Sequence, residues 1–165
     1  MSSSYSIKVG YFWMLGDRIY QPWNSIIRNR TMLPRHTFTA WLFFQQRAPA
    51  KQRLAKFTNQ TGELLCGLCN EEGEMPEHLF LSCCWAKELW YLLSSRWPIP
   101  HFNPKYDSFF RVLKRTKGTQ KQKHITYAIV AAALYQIWRV QNAKVFDHKS
   151  LLAPTFSNHT MEQVA

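Results

Sequence analysis

Apolar and polar positions along this chain follow helical spacing, and the prolines and glycines break it into short pieces. Ser6 to Leu15 is a short amphipathic segment that ends before Gly16. Trp23 to Arg28 follows Pro22 and reads as another short helix. Pro34 takes the first turn of a helix predicted to run to about Arg47, with Pro49 ending it. In that helix Phe38, Trp41, Leu42 and Gln45 fall at i, i+3, i+4 and i+7, the expected core face. Residues 50–57 form a brief basic helix, and Trp85 to Trp97 a longer one with Leu89, Leu92 and Leu93 inward. Pro98 and Pro100 stop it, and residues 98–105 are a loop. Asp107 to Arg115 is a further helix with Asp107 as the N-cap candidate. Lys114 to Lys123 reads as a basic, glycine-containing connection. Residues 124–147 form the longest helix, apolar on nearly all sides from Ala128 to Trp138 and therefore central. The tail from Lys149 has no periodicity and reads as loose. The fold class predicted is mainly α, a small helical domain with little or no sheet and no internal repeat.

Composition narrows the class. The 165 residues are one domain's length, and 46% hydrophobic with 15% aromatic residues is enough for a core and excludes global disorder. The longest near-apolar run, Ile125 to Trp138, is shorter than the roughly 20 residues that span a bilayer and contains Gln136. It predicts a buried helix in a soluble protein without a membrane partner. The start, MSSSYSIKVG, lacks the apolar centre of a signal peptide, so an intracellular location, nuclear or cytoplasmic, is expected.

The strongest chemical signal is CGLCNEEGEMPEHLFLSC, in which Cys66, Cys69, His78 and Cys83 form a C-x2-C-x8-H-x4-C pattern. Three thiols and an imidazole are the donors that a closed, tetrahedral, structural zinc site takes, and such a site leaves no open position for an activated water. One structural Zn2+ is the cofactor expected. Gly67 is expected to ease the turn between the first two cysteines through its backbone freedom. On an ideal helix residues five apart point about 140° away from each other, so His78 should lie on a short or distorted turn with Cys83 just past it. Cys84 competes for the fourth position, since spacings of four and five both occur. Reduced core cysteines and disulfides are the other readings; the disulfide reading is disfavoured by the expected compartment.

Charge adds a second signal. The formal net charge is +11, and it is segregated: residues 1–62 carry nine Lys/Arg and one Asp, residues 63–77 five Glu and no base, residues 78–165 twelve Lys/Arg and four acids. An acidic metal loop between basic flanks predicts a polyanionic partner, most often nucleic acid, met by the flanking helices. Arg47, Lys51, Arg53 and Lys56 form one candidate cluster, and Arg111, Lys114, Arg115, Lys117, Lys121 and Lys123 the other. Phe43 and Phe44 beside Arg47 are either base-stacking groups or core, with core favoured.

The order of the segments YSIKVGYFWML, WNSIIRN, LPRHTFTAWLFFQQRAPAKQRL, CGLC, and EHLFLSC followed by AKELW resembles a known family. It is similar to the zinc-binding domain found downstream of the reverse transcriptase in plant LINE-type (non-LTR) retrotransposon polyproteins. IWRVQNAKVF is similar to that family's ending, without its adjacent Arg-Asn pair. The resemblance implies Cys66, Cys69, His78 and Cys83 as zinc ligands and favours Cys83 over Cys84, which stands where the family often has proline. It also implies residues 1–100 as the reverse-transcriptase-associated zinc-binding domain, 101–148 as a helical extension packing on it, and 149–165 as a loose tail. A reverse transcriptase domain becomes a further possible partner.

Other chemistry is weakly signalled. The three aspartates, Asp17, Asp107 and Asp147, are scattered, so the paired carboxylates of a polymerase are missing. Ser94, Ser95 and Ser108 lie in no nucleophile elbow, and no glycine-rich phosphate loop occurs. His36, His101, His124, His148 and His159 read as ordinary surface or loop residues, and Glu71, Glu72, Glu74 and Glu77 as a solvated acidic loop. The expectation is a non-catalytic zinc module that binds polynucleotide through basic helices and takes no small-molecule substrate. The alternatives are a structural or docking module, or a relic without selected function.

Overall fold

The computed structural model describes residues 23–58, 64–146 and 153–162. The expected Ser6–Leu15 segment, His148 and the side chains of Lys56 and His159 lie outside the described residues. Among the described residues seven α-helices occur in chain order: α1 Asn24–Ile27, α2 Pro34–Phe44, α3 Lys51–Thr58, α4 Cys84–Ser94, α5 Tyr106–Lys114, α6 Gln120–Phe146 and α7 Ala153–Glu162, with a π-helical turn at His78–Ser82 before α4. Among the described residues there is no strand, and a single antiparallel bridge joins Leu65 and Gly73. The mainly helical class is therefore observed.

The long helix α6 is central as predicted: Ala128 to Leu134, Ile137 and Val140 are buried along it. Helix α2 packs along α6, and α4 and the π turn close the other side. An aromatic cluster ties these elements together. Phe43 of α2 meets Phe80 of the π turn at 5.3 Å and Phe109 of α5 at 5.7 Å, both edge-on, the arrangement that ring quadrupoles favour. The Trp90 indole N–H of α4 donates to the Phe80 carbonyl at 2.9 Å. Phe43 and Phe44 are thus core, not stacking groups for bases.

Several local expectations are corrected. The buried face of α2 is His36, Thr39, Ala40, Phe43 and Phe44, so the predicted face is rotated; Phe38 is exposed and Trp41, Leu42 and Gln45 only half-buried. His36 lies against the Tyr135 ring at 5.0 Å in the interior, not on the surface. Helix α2 ends at Phe44, well before Pro49. Gln46 adopts a left-handed φ of 54°, and Arg47 and Gln46 donate back to the Leu42 and Phe43 carbonyls at 2.8 Å each, a Schellman stop made without glycine.

Asp107 is not the N-cap of α5. Lys105 holds that position, and the Glu77 carboxylate accepts the Tyr106 N–H at 2.6 Å. Helix α6 starts four residues earlier than expected, at Gln120. Thr119 and Gln122 exchange backbone-to-side-chain bonds at 2.8 and 3.3 Å, the reciprocal capping box. The tail is not loose throughout: α7 packs on α4 and α6, burying Ala153 and Thr160.

Candidate metal centre

Chain geometry assembles the centre from a hairpin and a helix start. Residues 64–74 fold back on themselves: Cys66 N–H donates to Glu72 O at 2.7 Å, Glu74 N–H to Leu64 O at 2.8 Å, and Asn70 N–H to Cys66 O at 2.8 Å. The left-handed residue of this turn is Asn70, φ 59°, and not Gly67. Asn tolerates that region better than most residues. Gly67 is required for a different reason. A Cβ there would stand 2.9 Å from Val145 Cγ2 of α6. Gly67→Ala is expected to cost about 1–3 kcal/mol by overpacking, measured by thermal melting, and Gly67→Ala with Val145→Ala to recover most of it.

The second half of the centre depends on the π turn. Cys83 N–H donates to the His78 carbonyl at 2.7 Å, five residues back. This wider winding is the distortion that a five-residue spacing demands, because an α-helix would splay the two side chains apart. Cys83 then stands at the N-cap of α4. The result brings together one donor atom from each of Cys66, Cys69, His78 and Cys83, all within 4.8 Å of one another. Cys84 is exposed and outside the cluster.

The distances fit zinc. Bonds of about 2.3 Å to sulfur and 2.0–2.1 Å to nitrogen imply tetrahedral edges of roughly 3.8 Å between sulfurs and 3.6 Å between sulfur and nitrogen. Cys66 Sγ and Cys83 Sγ are 3.9 Å apart, and Cys69 Sγ and His78 Nε2 are 3.3 Å apart. Zinc would have room without rearrangement of the chain.

The surroundings orient and neutralise the donors. Glu72 accepts from His78 Nδ1 at 2.9 Å, which leaves the Nε2 lone pair facing Cys69, the second-layer pairing typical of metal-bound imidazole. The Cys66 thiol is drawn well below its ordinary range, chiefly because Cys83 donates to it. Cys83 is raised in turn by that bond, by burial and by the charge on Cys66, against which the N–H groups of Trp85 and Ala86 act. A dication bound between the two buried sulfurs would displace thiol protons.

Glu74 is wholly buried, unlike the solvated acid expected. Its carboxylate accepts from Gly67 N at 2.7 Å, Lys51 N at 3.0 Å and Gln141 Nε2 at 3.0 Å. Lys144 Nζ donates to Leu68 O at 2.8 Å and Lys51 Nζ to Leu65 O at 2.9 Å. The hairpin is thus fastened to α3 and to the far end of α6. A family model described as zinc-binding in reverse transcriptase matches residues 5–90, just over half the chain. The chain belongs to that family. Neither a characterised protein nor a solved structure matches it.

The reverse-transcriptase zinc-binding domain places the expected nucleic-acid residues unevenly. Arg47, Arg111, Lys114, Arg115, Lys117 and Lys121 are exposed and Lys123 is half-buried. Lys51 is engaged on the hairpin, and Arg53 donates to the Gln46 carbonyl at 2.8 Å. Lys56 lies on α3, its side chain outside the described residues. Arg47 and Phe110 line a cleft of about 510 Å³, and Lys114, outside that lining, stands 5.6 Å from the Phe110 ring centre. Ser94 and Ser95 donate to carbonyls of their own helix, and His101 and His124 take no part in the cluster. Sequence reading places Glu72 and Glu74 in a solvated acidic loop, since no helical register links them to the cysteines and His78. Among the described residues no helix is long and apolar enough to cross a membrane.

Proposed function

We propose that this domain is a non-catalytic module, of plant LINE-type retrotransposon origin, that binds RNA or single-stranded DNA. One structural zinc ion, held by Cys66, Cys69, His78 and Cys83, closes it. The observation that carries the metal reading is the donor set with all four atoms within 4.8 Å. Four protein donors complete a tetrahedron, so the ion supplies rigidity and presents no open position for chemistry. The nucleic-acid reading is supported by the excess positive charge on both sides of an acidic hairpin and by the exposure of Arg47, Lys114, Arg115, Lys117 and Lys121. Fluorescence-anisotropy titration of the zinc-loaded chain against a short single-stranded RNA tests it. Absence of binding at low salt overturns it.

Glu72→Ala is expected to weaken zinc binding about 10- to 100-fold through loss of imidazole orientation. The Glu72 side chain is 71% exposed, so the fold should persist. Competition against a chromophoric chelator measures the change.

A docking role has one observation in its favour. A cleft of about 620 Å³ is lined mainly by apolar groups, among them Trp90, Tyr91, Ile99 and Phe102. Self-association without a polynucleotide shift would favour that reading.

A further inference from the structure

Phe38 departs from its expected place. Periodicity puts it in the core, yet its side chain is 59% exposed. It stacks on Trp41, with centroids 5.9 Å apart and planes 28° apart. A cleft of about 540 Å³ opens beside the pair, and Arg28 and Arg30 line it. Both arginines, and the neighbouring Arg35, are exposed. The sequence holds no Asp or Glu from Arg18 to Gly62. Among the described residues no carboxylate pairs with these three arginines.

Such a surface combines two demands that are seldom met together. A flat apolar ring is left in water, where burial would ordinarily take it. Among the described residues the cations around it have no acidic partner. A protein partner would answer the first demand through apolar area alone. An unpaired nucleotide answers both: its base has a π face for the ring, and its phosphates sit within reach of the guanidinium groups. A duplex does not, because its base faces are already stacked on one another.

We propose that Phe38 and Trp41, flanked by Arg28 and Arg30, form a stacking platform for an unpaired base of a single-stranded polynucleotide. The platform lies on α2 and the connection that joins it to α1, and it uses none of the residues of the basic clusters at Arg47 and around Lys114 to Lys123. The inference rests on the nucleic-acid reading and adds a preference to it: single strands over duplexes.

Anisotropy titrations with a single-stranded RNA and a duplex RNA of equal length test it, using the zinc-loaded chain, Phe38→Ala and Arg28→Ala/Arg30→Ala. Phe38→Ala is expected to weaken single-strand binding about 5- to 100-fold, the range for one lost stacked base, and duplex binding less than about twofold. The arginine pair should weaken both ligands and lower the single-strand salt slope by about 1.4. An unchanged melting temperature confirms that Phe38→Ala is folded. Wild-type binding to neither RNA overturns the nucleic-acid reading and the platform with it. Single-strand binding that survives Phe38→Ala intact removes the platform alone. Loss of self-association in Phe38→Ala, with RNA affinity unchanged, reassigns this face to a second copy of the chain.

Discussion

Stripping the metal with a strong chelator, or replacing Cys69 or Cys83 by serine, is expected to abolish the cooperative melting transition. Apparent free energies for structural zinc reach about 10–16 kcal/mol. A whole domain is stable by only about 5–15 kcal/mol. The two quantities are comparable, so the folded state should not outlive the ion. Local structure says where the damage would spread. Leu79, Phe80 and Leu81 lie between the ligands His78 and Cys83 and are fully buried. Phe80 abuts Phe43 of α2 and its carbonyl holds the Trp90 indole of α4. Releasing the clasp frees the turn that carries these contacts. Circular dichroism with native mass spectrometry reads both the fold and the bound zinc. Cys84→Ser should keep the ion and stay within about 0.5 kcal/mol of wild type, as exposed substitutions do. Zinc retained in Cys83→Ser and lost in Cys84→Ser would overturn the ligand assignment.

Affinity for a single-stranded polynucleotide is expected to fall about 100-fold between roughly 50 and 200 mM salt. The figure follows from counterion release, at about 0.7 logarithmic units of slope per phosphate neutralised on a single strand, with about five contacts. Arg47, Lys114, Arg115, Lys117 and Lys121 are exposed cations that would supply them, with any contribution from Arg28 and Arg30 adding to the slope. Lys51 and Arg53 are left out because their side chains already donate to backbone carbonyls. Lys114→Ala/Arg115→Ala/Lys117→Ala should lower the slope by about 2. A slope that stays at the wild-type value would show that these helices do not meet phosphate.

What the sequence made legible follows the range of the physics involved. Ligand spacing is local, so the four donors were readable, and the need for a distorted turn at His78 followed from helix geometry alone. The central helix was readable because nearly every face of it is apolar. The rotated face of α2 was not. Its i, i+3, i+4 set around Phe38 is as regular as the buried set around Phe43, and only the position of α6 decides between them. Glu74 reads as a solvated acid because a buried carboxylate is recognisable only by its partners, and Gln141 lies 67 residues away. The capping box at Thr119 and Gln122 was legible, yet the polar first turn of α6 reads equally as a connection. The tail helix is short and polar, and its buried Ala153 and Thr160 show only against α4 and α6.

The fastening of the hairpin to the end of α6 sets an order of events during synthesis. Cys66, Cys69, His78 and Cys83 leave the ribosome well before their outer supports. Gln141 follows Glu74 by 67 residues and Lys144 follows Leu68 by 76. At about 5–20 residues per second that is a delay of roughly 3–15 s. Through that interval the thiols are accessible to ions and oxidants alike. An ion taken up in that interval would be bound before α6 arrives to fasten the hairpin from outside.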